Sequence, residues 1–201
     1  MSDSPNPPAG PQSWILQLRQ RLASPAPRRL RPSEAREAAV LVPLFVDAGA
    51  LWTLLTKRSE ELPHHKGQVA FPGGGLEVGE DSWAAALRES QEELGLEPTT
   101  VVRLGELDET KTPSGFHIVP CVGAVPPPAD LEVNEEEIAE VFSVPLMAFA
   151  EPRASEDRLV RINDKERMIR IYHVGRHQVW GLTARIIQNL LERVDLALAD
   201  T

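Results

Sequence analysis

Residues 74–96 read GGLEVGEDSWAAALRESQEELGL, and the fold turns on their second half. The pattern predicts a helix over 82–94: Asp81 or Ser82 can cap its start, Gly95 stops it and Pro98 follows. At 100° per residue Trp83, Leu87, Ser90 and Leu94 share a stripe, the face expected to meet the core. Glu89, Glu92 and Glu93 share another face, because side chains three and four residues apart on a helix are neighbours. Three carboxylates at this spacing repel one another by about 0.2–0.5 kcal/mol per pair. Hard oxygens at this density are also what Mg2+ or Mn2+ selects. A Glu-rich helix by itself is more simply a solvated acidic face, so the surroundings decide. Upstream lies Phe71-Pro72-Gly73-Gly74-Gly75, where glycines permit unusual backbone angles and close approach of a ligand to the main chain. Glu80 sits in the intervening loop. Arg88 precedes Glu89, where its planar fork can grip a carboxylate and fix its rotamer, which makes it an orienting residue.

Outward from this helix, 201 residues with 42% hydrophobic and 25% charged fit a single domain with a sizeable core. Residues 1–12 are rich in Pro, Ser and Gly, 14–22 suit a short amphipathic helix, and 24–32 hold three prolines and three arginines. Residues 1–32 are therefore set apart as a flexible segment with a short helix, and 33–201 as the folded domain. Strands are predicted over 38–46, 51–57, 100–107, 116–125, 138–144 and 168–174, the first two joined as a hairpin through residues 47–50. A last helix is predicted over 182–198, with Ile186, Leu190, Val194 and Leu198 on one face. This order suits an α+β, α/β/α layered domain better than a doubly wound sheet. The net charge of −9 argues against a nucleic-acid partner. No stretch approaches the length of a membrane span, and no signal peptide is visible at the start. The single cysteine, Cys121, cannot form an internal disulfide and reads as a core residue, which together suit a cytoplasmic protein. The five histidines lack metal-ligand spacing. The apolar face of the last helix leaves a homodimer possible, although packing on its own sheet is the plainer use.

Gly74, five residues, Glu80, seven residues and then Arg88-Glu89-Ser90-Gln91-Glu92-Glu93-Leu94-Gly95-Leu96 resemble the Nudix box, G-x5-E-x7-R-E-U-x-E-E-x-G-U with U aliphatic. Ser90 departs from it, standing where an aliphatic residue is usual. The resemblance implies the Nudix fold, a mixed central sheet with the box helix and a C-terminal helix packed on it. It also implies metal-assisted hydrolysis of a diphosphate within a nucleoside diphosphate derivative. Carried over by position, Glu89, Glu92 and Glu93 would hold the Mg2+ or Mn2+, with Glu80 assisting. The general base ranks Glu92 first and Glu137 second, the latter within the acidic run 135–140.

The segment ahead of the box also carries a resemblance. Leu54-Leu55-Thr56-Lys57-Arg58-Ser59, then Gly67, then Phe71-Pro72-Gly73-Gly74 is similar to the pattern of the coenzyme A pyrophosphatase branch, except at Pro63, where that branch has Arg. Residues 137–146 and 179–184 look like the same branch. The resemblance implies cleavage of CoA into 3',5'-ADP and 4'-phosphopantetheine. A reader of CoA needs a cation near the 3'-phosphate, and Arg58 is the first candidate, ahead of Lys57 and Lys66; a structural ion pair is an equal use for Arg58. Lys57 and Arg58 should point to opposite faces of their strand. Gly73, Gly74, Thr112 and Ser114 complete the expected substrate contacts, although residues 110–117 read equally well as an ordinary turn. The alternatives are another diphosphate such as NADH, ADP-ribose or a dinucleoside polyphosphate, a nucleotide-binding module without turnover, or action through residues 14–22 with the acidic helix as scaffold.

Overall fold

The computed structural model describes residues 13–31, 34–62, 65–129, 131–162 and 165–194. Its first elements are α1 (Ser13–Ala23), β1 (Arg36–Asp47), β2 (Ala50–Arg58) and two short strands, β3 (Val69–Ala70) and β4 (Gly73–Gly75). Then follow α2 (Ser82–Leu94), β5 (Val102–Glu106), β6 (Thr110–Lys111), β7 (Phe116–Ala124) and β8 (Ile138–Pro145). The chain closes with α3 (Met147–Ala150), β9 (Ser155–Ile162), β10 (Lys165–Val174), β11 (His177–Trp180) and α4 (Gly181–Arg193).

The main sheet is mixed, with β1 at its centre. β1 runs parallel to β7 from Arg36 to Leu44, and antiparallel to β2 at one end and β4 at the other. Alternation along β1 sends side chains to two cores, one on each face. Ala38, Val40, Val42 and Leu44 join Leu18 and Leu22 of α1 and Ile186, Ile187 and Leu190 of α4. Ala39, Leu41 and Phe45 join Trp83, Ala85, Ala86 and Leu94 of α2. A strand buried on both faces reads as a continuous apolar run, which is why 38–46 looks as it does in the sequence. The result is the α/β/α sandwich with α2 on one side and α4 on the other. Among the described residues, no helix is long and apolar enough to cross a membrane.

α2 matches its predicted limits. The Asp81 side chain accepts from Ala84 N at 2.7 Å, and Gly95 ends the helix in a left-handed conformation with φ 67°. The buried stripe is broader than expected: Ala85, Ala86 and Glu93 join Trp83, Ser90 and Leu94, while Leu87 is only half-buried. Ser90 is fully buried, and its hydroxyl donates to Ala86 O at 2.6 Å. That bond satisfies the polar atom in the place of an aliphatic side chain.

Two expectations need correction. Residues 13–31 are not a flexible appendage. Leu18 and Leu22 are at most 1% exposed, and Arg28 to Leu30 are tied to the loop after β5. The amphipathic pattern of 14–22 had a docking face to satisfy, and Gly105 provides it: a Cβ there would lie 2.9 Å from the Leu22 side chain. The strand predicted over 168–174 is longer and has two unforeseen partners, since β11-β10-β9 forms a separate three-stranded sheet. β9 was missed because its charged residues break the apolar alternation. Leu198 and Pro63 lie outside the described residues. Leu22→Ala should lower stability by about 2–4 kcal/mol in urea denaturation if α1 belongs to the core; a change within about 0.5 kcal/mol would return this segment to an appendage.

Candidate active site

The loop and helix meet in a cluster of carboxylates organised by two arginines. Arg88 is the hub. Its Nε and Nη2 donate to the two oxygens of Glu80 at 2.9 and 3.1 Å, and Nη2 also donates to Gly75 O at 2.9 Å. Its Nη1 reaches Glu89 at 2.9 Å and Glu92 at 3.1 Å. The fork thus holds the loop carboxylate, the loop backbone and two helix carboxylates in one plane of donors, which a point-like ammonium cannot do. Arg88 is held even more firmly protonated than an ordinary arginine, above all by Glu80. Glu80 is correspondingly pulled below the usual carboxylate range by Arg88.

Glu93 has a different environment. It is 3% exposed, accepts from Gly73 N at 3.3 Å and faces Arg58 Nη1 at 3.4 Å. Burial outweighs these partners and pushes its carboxyl up to about 7, with the charges of Glu89 and Glu137 adding to the rise. Burial likewise raises Glu89. Arg58 Nε is buried with no hydrogen-bond partner among the described residues.

Each expected site residue can now be placed. Glu80, Arg88, Glu89, Glu92 and Glu93 come together, and Glu137 is near enough for its charge to be felt by Glu89 and Glu93. Its own loop is anchored, with Ser59 N donating to Glu137 O at 2.8 Å and Asn134 N to Glu93 O at 2.9 Å. Gly74 leaves no room for a Cβ because the Glu89 carboxyl presses on it, and Gly73 because the β1 backbone does. A Cβ on Gly74 would sit 2.3 Å from the Glu89 carboxyl, and one on Gly73, at φ 153°, would meet Ala39 O at 2.3 Å. Lys57 turns to Glu60 and Arg58 to Glu93, the opposite facing expected of them. Lys66 is exposed on the loop between β2 and β3. Thr112 and Ser114 are not brought to the cluster by any described contact. Their hydroxyls bond each other at 2.9 Å, and Thr112 accepts from Phe116 N, so they close a turn. Cys121 is buried with its thiol pushed up, consistent with a core role.

One functional-looking group escaped the sequence reading. Glu109 accepts from Leu30 N at 2.7 Å and Arg29 at 3.0 Å, and lies 2.9 Å from His117. It staples the N-terminal segment to the sheet, and nothing in local spacing connects residues 29, 109 and 117.

The donor set fits a divalent cation. Five carboxylates stand against two guanidiniums, and a buried Glu93 driven towards the protonated form is what a neighbouring cation relieves. As oriented, no three acidic side chains among the described residues form a ready cage, since Glu89 and Glu92 turn to Arg88 while Glu93 turns to Arg58.

The family model for the NUDIX domain matches residues 35–163. The chain belongs to the Nudix family. It is 42% identical to the Nudix hydrolase NudL of Pectobacterium atrosepticum, across 82% of this chain and 86% of that one. It is 36% identical to NudL of Photorhabdus laumondii, across 86% and 91%. Among solved structures, the Ap4A hydrolase of Caenorhabditis elegans in a binary complex is similar with a TM-score of 0.48 and 23% identity, covering 55% of this chain and 80% of that one.

Two outcomes follow for this Nudix site. Folded Glu93 binds its proton more tightly than unfolded Glu93 does. Without divalent cations, stability should therefore fall as pH rises from the ordinary carboxyl range through about 7. Glu93→Gln should remove that slope and leave the chain about 2–3 kcal/mol more stable at pH 8, as read by urea denaturation in chelator. Equal slopes for the two proteins would contradict the buried-carboxyl assignment. Arg88→Lys should keep the fold and lower hydrolase kcat by about 100-fold, because the ammonium holds at most part of the constellation in place; near-normal kcat would show that the fork is dispensable.

Proposed function

We propose that this Nudix hydrolase uses Mg2+ or Mn2+ to cleave the diphosphate of coenzyme A or its derivatives, yielding 3',5'-ADP and 4'-phosphopantetheine. One observation carries the substrate choice: the segment that resembles the CoA branch is tied at both ends to the same carboxylate. Arg58, near its start, and Gly73, at its close, both meet Glu93. The two ends of this stretch thus flank the catalytic cluster, and Arg58 brings a guanidinium to it. In this proposal Arg58, the ion-pair partner of Glu93, lies on the diphosphate side, and the exposed Lys66 is the candidate for the 3'-phosphate.

In this reading Glu89, Glu92 and Glu93 hold the cation and Glu80 fixes Arg88. The bound ion would neutralise diphosphate oxygens and lower the pKa of the attacking water. Water attacks phosphorus, the bridging P–O bond breaks, and the proton goes to a carboxylate. Glu92 is the first candidate to take it: its side chain is 56% exposed and has one ion-pair contact, whereas Glu93 is enclosed. Glu137 is the second, held by Asn134 Nδ2 at 3.4 Å on the facing loop. A cytoplasmic location accompanies this proposal, since CoA and a single buried thiol both suit that compartment.

The test is to incubate the purified protein with CoA and Mg2+ or Mn2+, identify products by chromatography and mass, and run Glu89→Gln in parallel. Release of 3',5'-ADP and 4'-phosphopantetheine, lost by at least about 100-fold in the variant, is the expected result. Intact CoA beside cleaved NADH or ADP-ribose would overturn the substrate reading, and metal-dependent cleavage of no diphosphate would favour a binding module.

A further inference from the structure

Among the described residues β9 is the outer strand of the three-stranded sheet, and the end of the β9–β10 ribbon stands away from the core, while Ile171, Tyr172 and Val174 at the close of β10 are buried. Glu156 to Leu159 and Glu166 to Met168 are exposed. A two-stranded ribbon of this kind is marginal alone, and an outer strand is a template for pairing with another chain. Leu159 and Met168 are opposite one another on one face, 56% and 63% exposed. That is a poor use of two large apolar side chains unless something covers them.

The charges around this pair say what does. On the Leu159 face β9 reads Asp157, Leu159, Arg161, which is antisymmetric in charge about the leucine. β10 sets Arg170 beside Asp157 and Glu166 beside Arg161. Arg170 already grips both Asp157 oxygens at 2.8 and 2.9 Å, which fixes that carboxylate on this face. We propose that β9 pairs antiparallel with β9 of a second copy of this chain, about a two-fold axis at Leu159. Leu159 then meets Leu159 of the second copy, flanked by both Met168 side chains, in an apolar stripe across four strands. On either side of the stripe the four strands carry Arg170, Asp157, Arg161 of the second copy and Glu166 of the second copy. Every neighbour in that row has the opposite sign, and cross-strand pairs of this kind are the unit of sheet stability. Moving the axis to residue 158 sets Arg158 against Arg158, and moving it to 160 sets Arg161 against Leu159. The register is therefore specified by the sequence. The same charges bar pairing with an arbitrary strand, which is how an exposed edge stays selective. This interface is distinct from the face of α4, whose apolar residues are spent on the sheet.

Sedimentation equilibrium of the full chain over a concentration series tests it, with Arg161→Asp, Asp157→Arg and their equimolar mixture. Expected are a wild-type dimer, a rise of at least about tenfold in dissociation constant for each variant alone, and recovery in the mixture, where every 157–161 pair again has opposite signs. Recovery also shows that each variant folds. A wild type that keeps the mass of one chain throughout, variants that dimerise as it does, or a mixture that stays monomeric would each overturn the proposal.

Discussion

The placing of Glu93 constrains everything around it. A carboxylate at the helix–sheet boundary has lost most of its hydration, and neither a 3.4 Å approach to Arg58 nor one backbone N–H restores it. Burial therefore drives this carboxyl towards its protonated form, and its surroundings hold it in place. The Gly73 amide must point inward, so its backbone takes a conformation that a Cβ would spoil. Arg58 must end β2 facing the helix, and a shift of register between Lys57 and Arg58 helps to aim it there. The helix must be capped at both ends to keep its last turn rigid.

Arg88 answers the second half of the same problem. Because it gathers Glu80, Glu89 and Glu92 and also the Gly75 carbonyl, it ties the loop to the helix. Ligands on a rigid frame need little rearrangement when a cation arrives, which is where positional precision in a catalytic site originates. The departure at Ser90 is tolerated for a related reason: its hydroxyl finds a carbonyl one turn back, so the buried side of the helix carries no unsatisfied group there.

What was legible in the sequence follows from range. The α2 limits, the carboxylate face and the doubly buried β1 are encoded by neighbours within a few residues, so periodicity and caps suffice. The substrate-side glycines were readable as sites of close approach, but not that Glu89 and Glu93 are what approaches them. Arg58 was open between two uses because its partner lies 35 residues away. The tie of Glu109 to Arg29, Leu30 and His117 spans up to 80 residues and left no local mark, so the N-terminal segment was set apart as flexible. Thr112 and Ser114, which read equally as ligand contacts or as a turn, do close a turn, with their hydroxyls bonded to each other.

β1 also forks the sheet. On one side its first half pairs with β4 through Ala38 to Val40 and its second half with β2 from Leu44, while β7 follows it from Arg36 to Leu44. Pro43 stands at the fork, where one N–H can be spared, and Thr53 Oγ1 covers its carbonyl at 2.9 Å. A single strand therefore works as the ruler for both the glycine loop and the hairpin that ends in Arg58. Adding or removing one residue between 40 and 44 would slide one branch against the other by about 3.3 Å and exchange its two faces. The distance between Gly73 and Arg58 is written in the length of a strand that contributes no side chain to the cluster, so this stretch should vary in composition far more readily than in length.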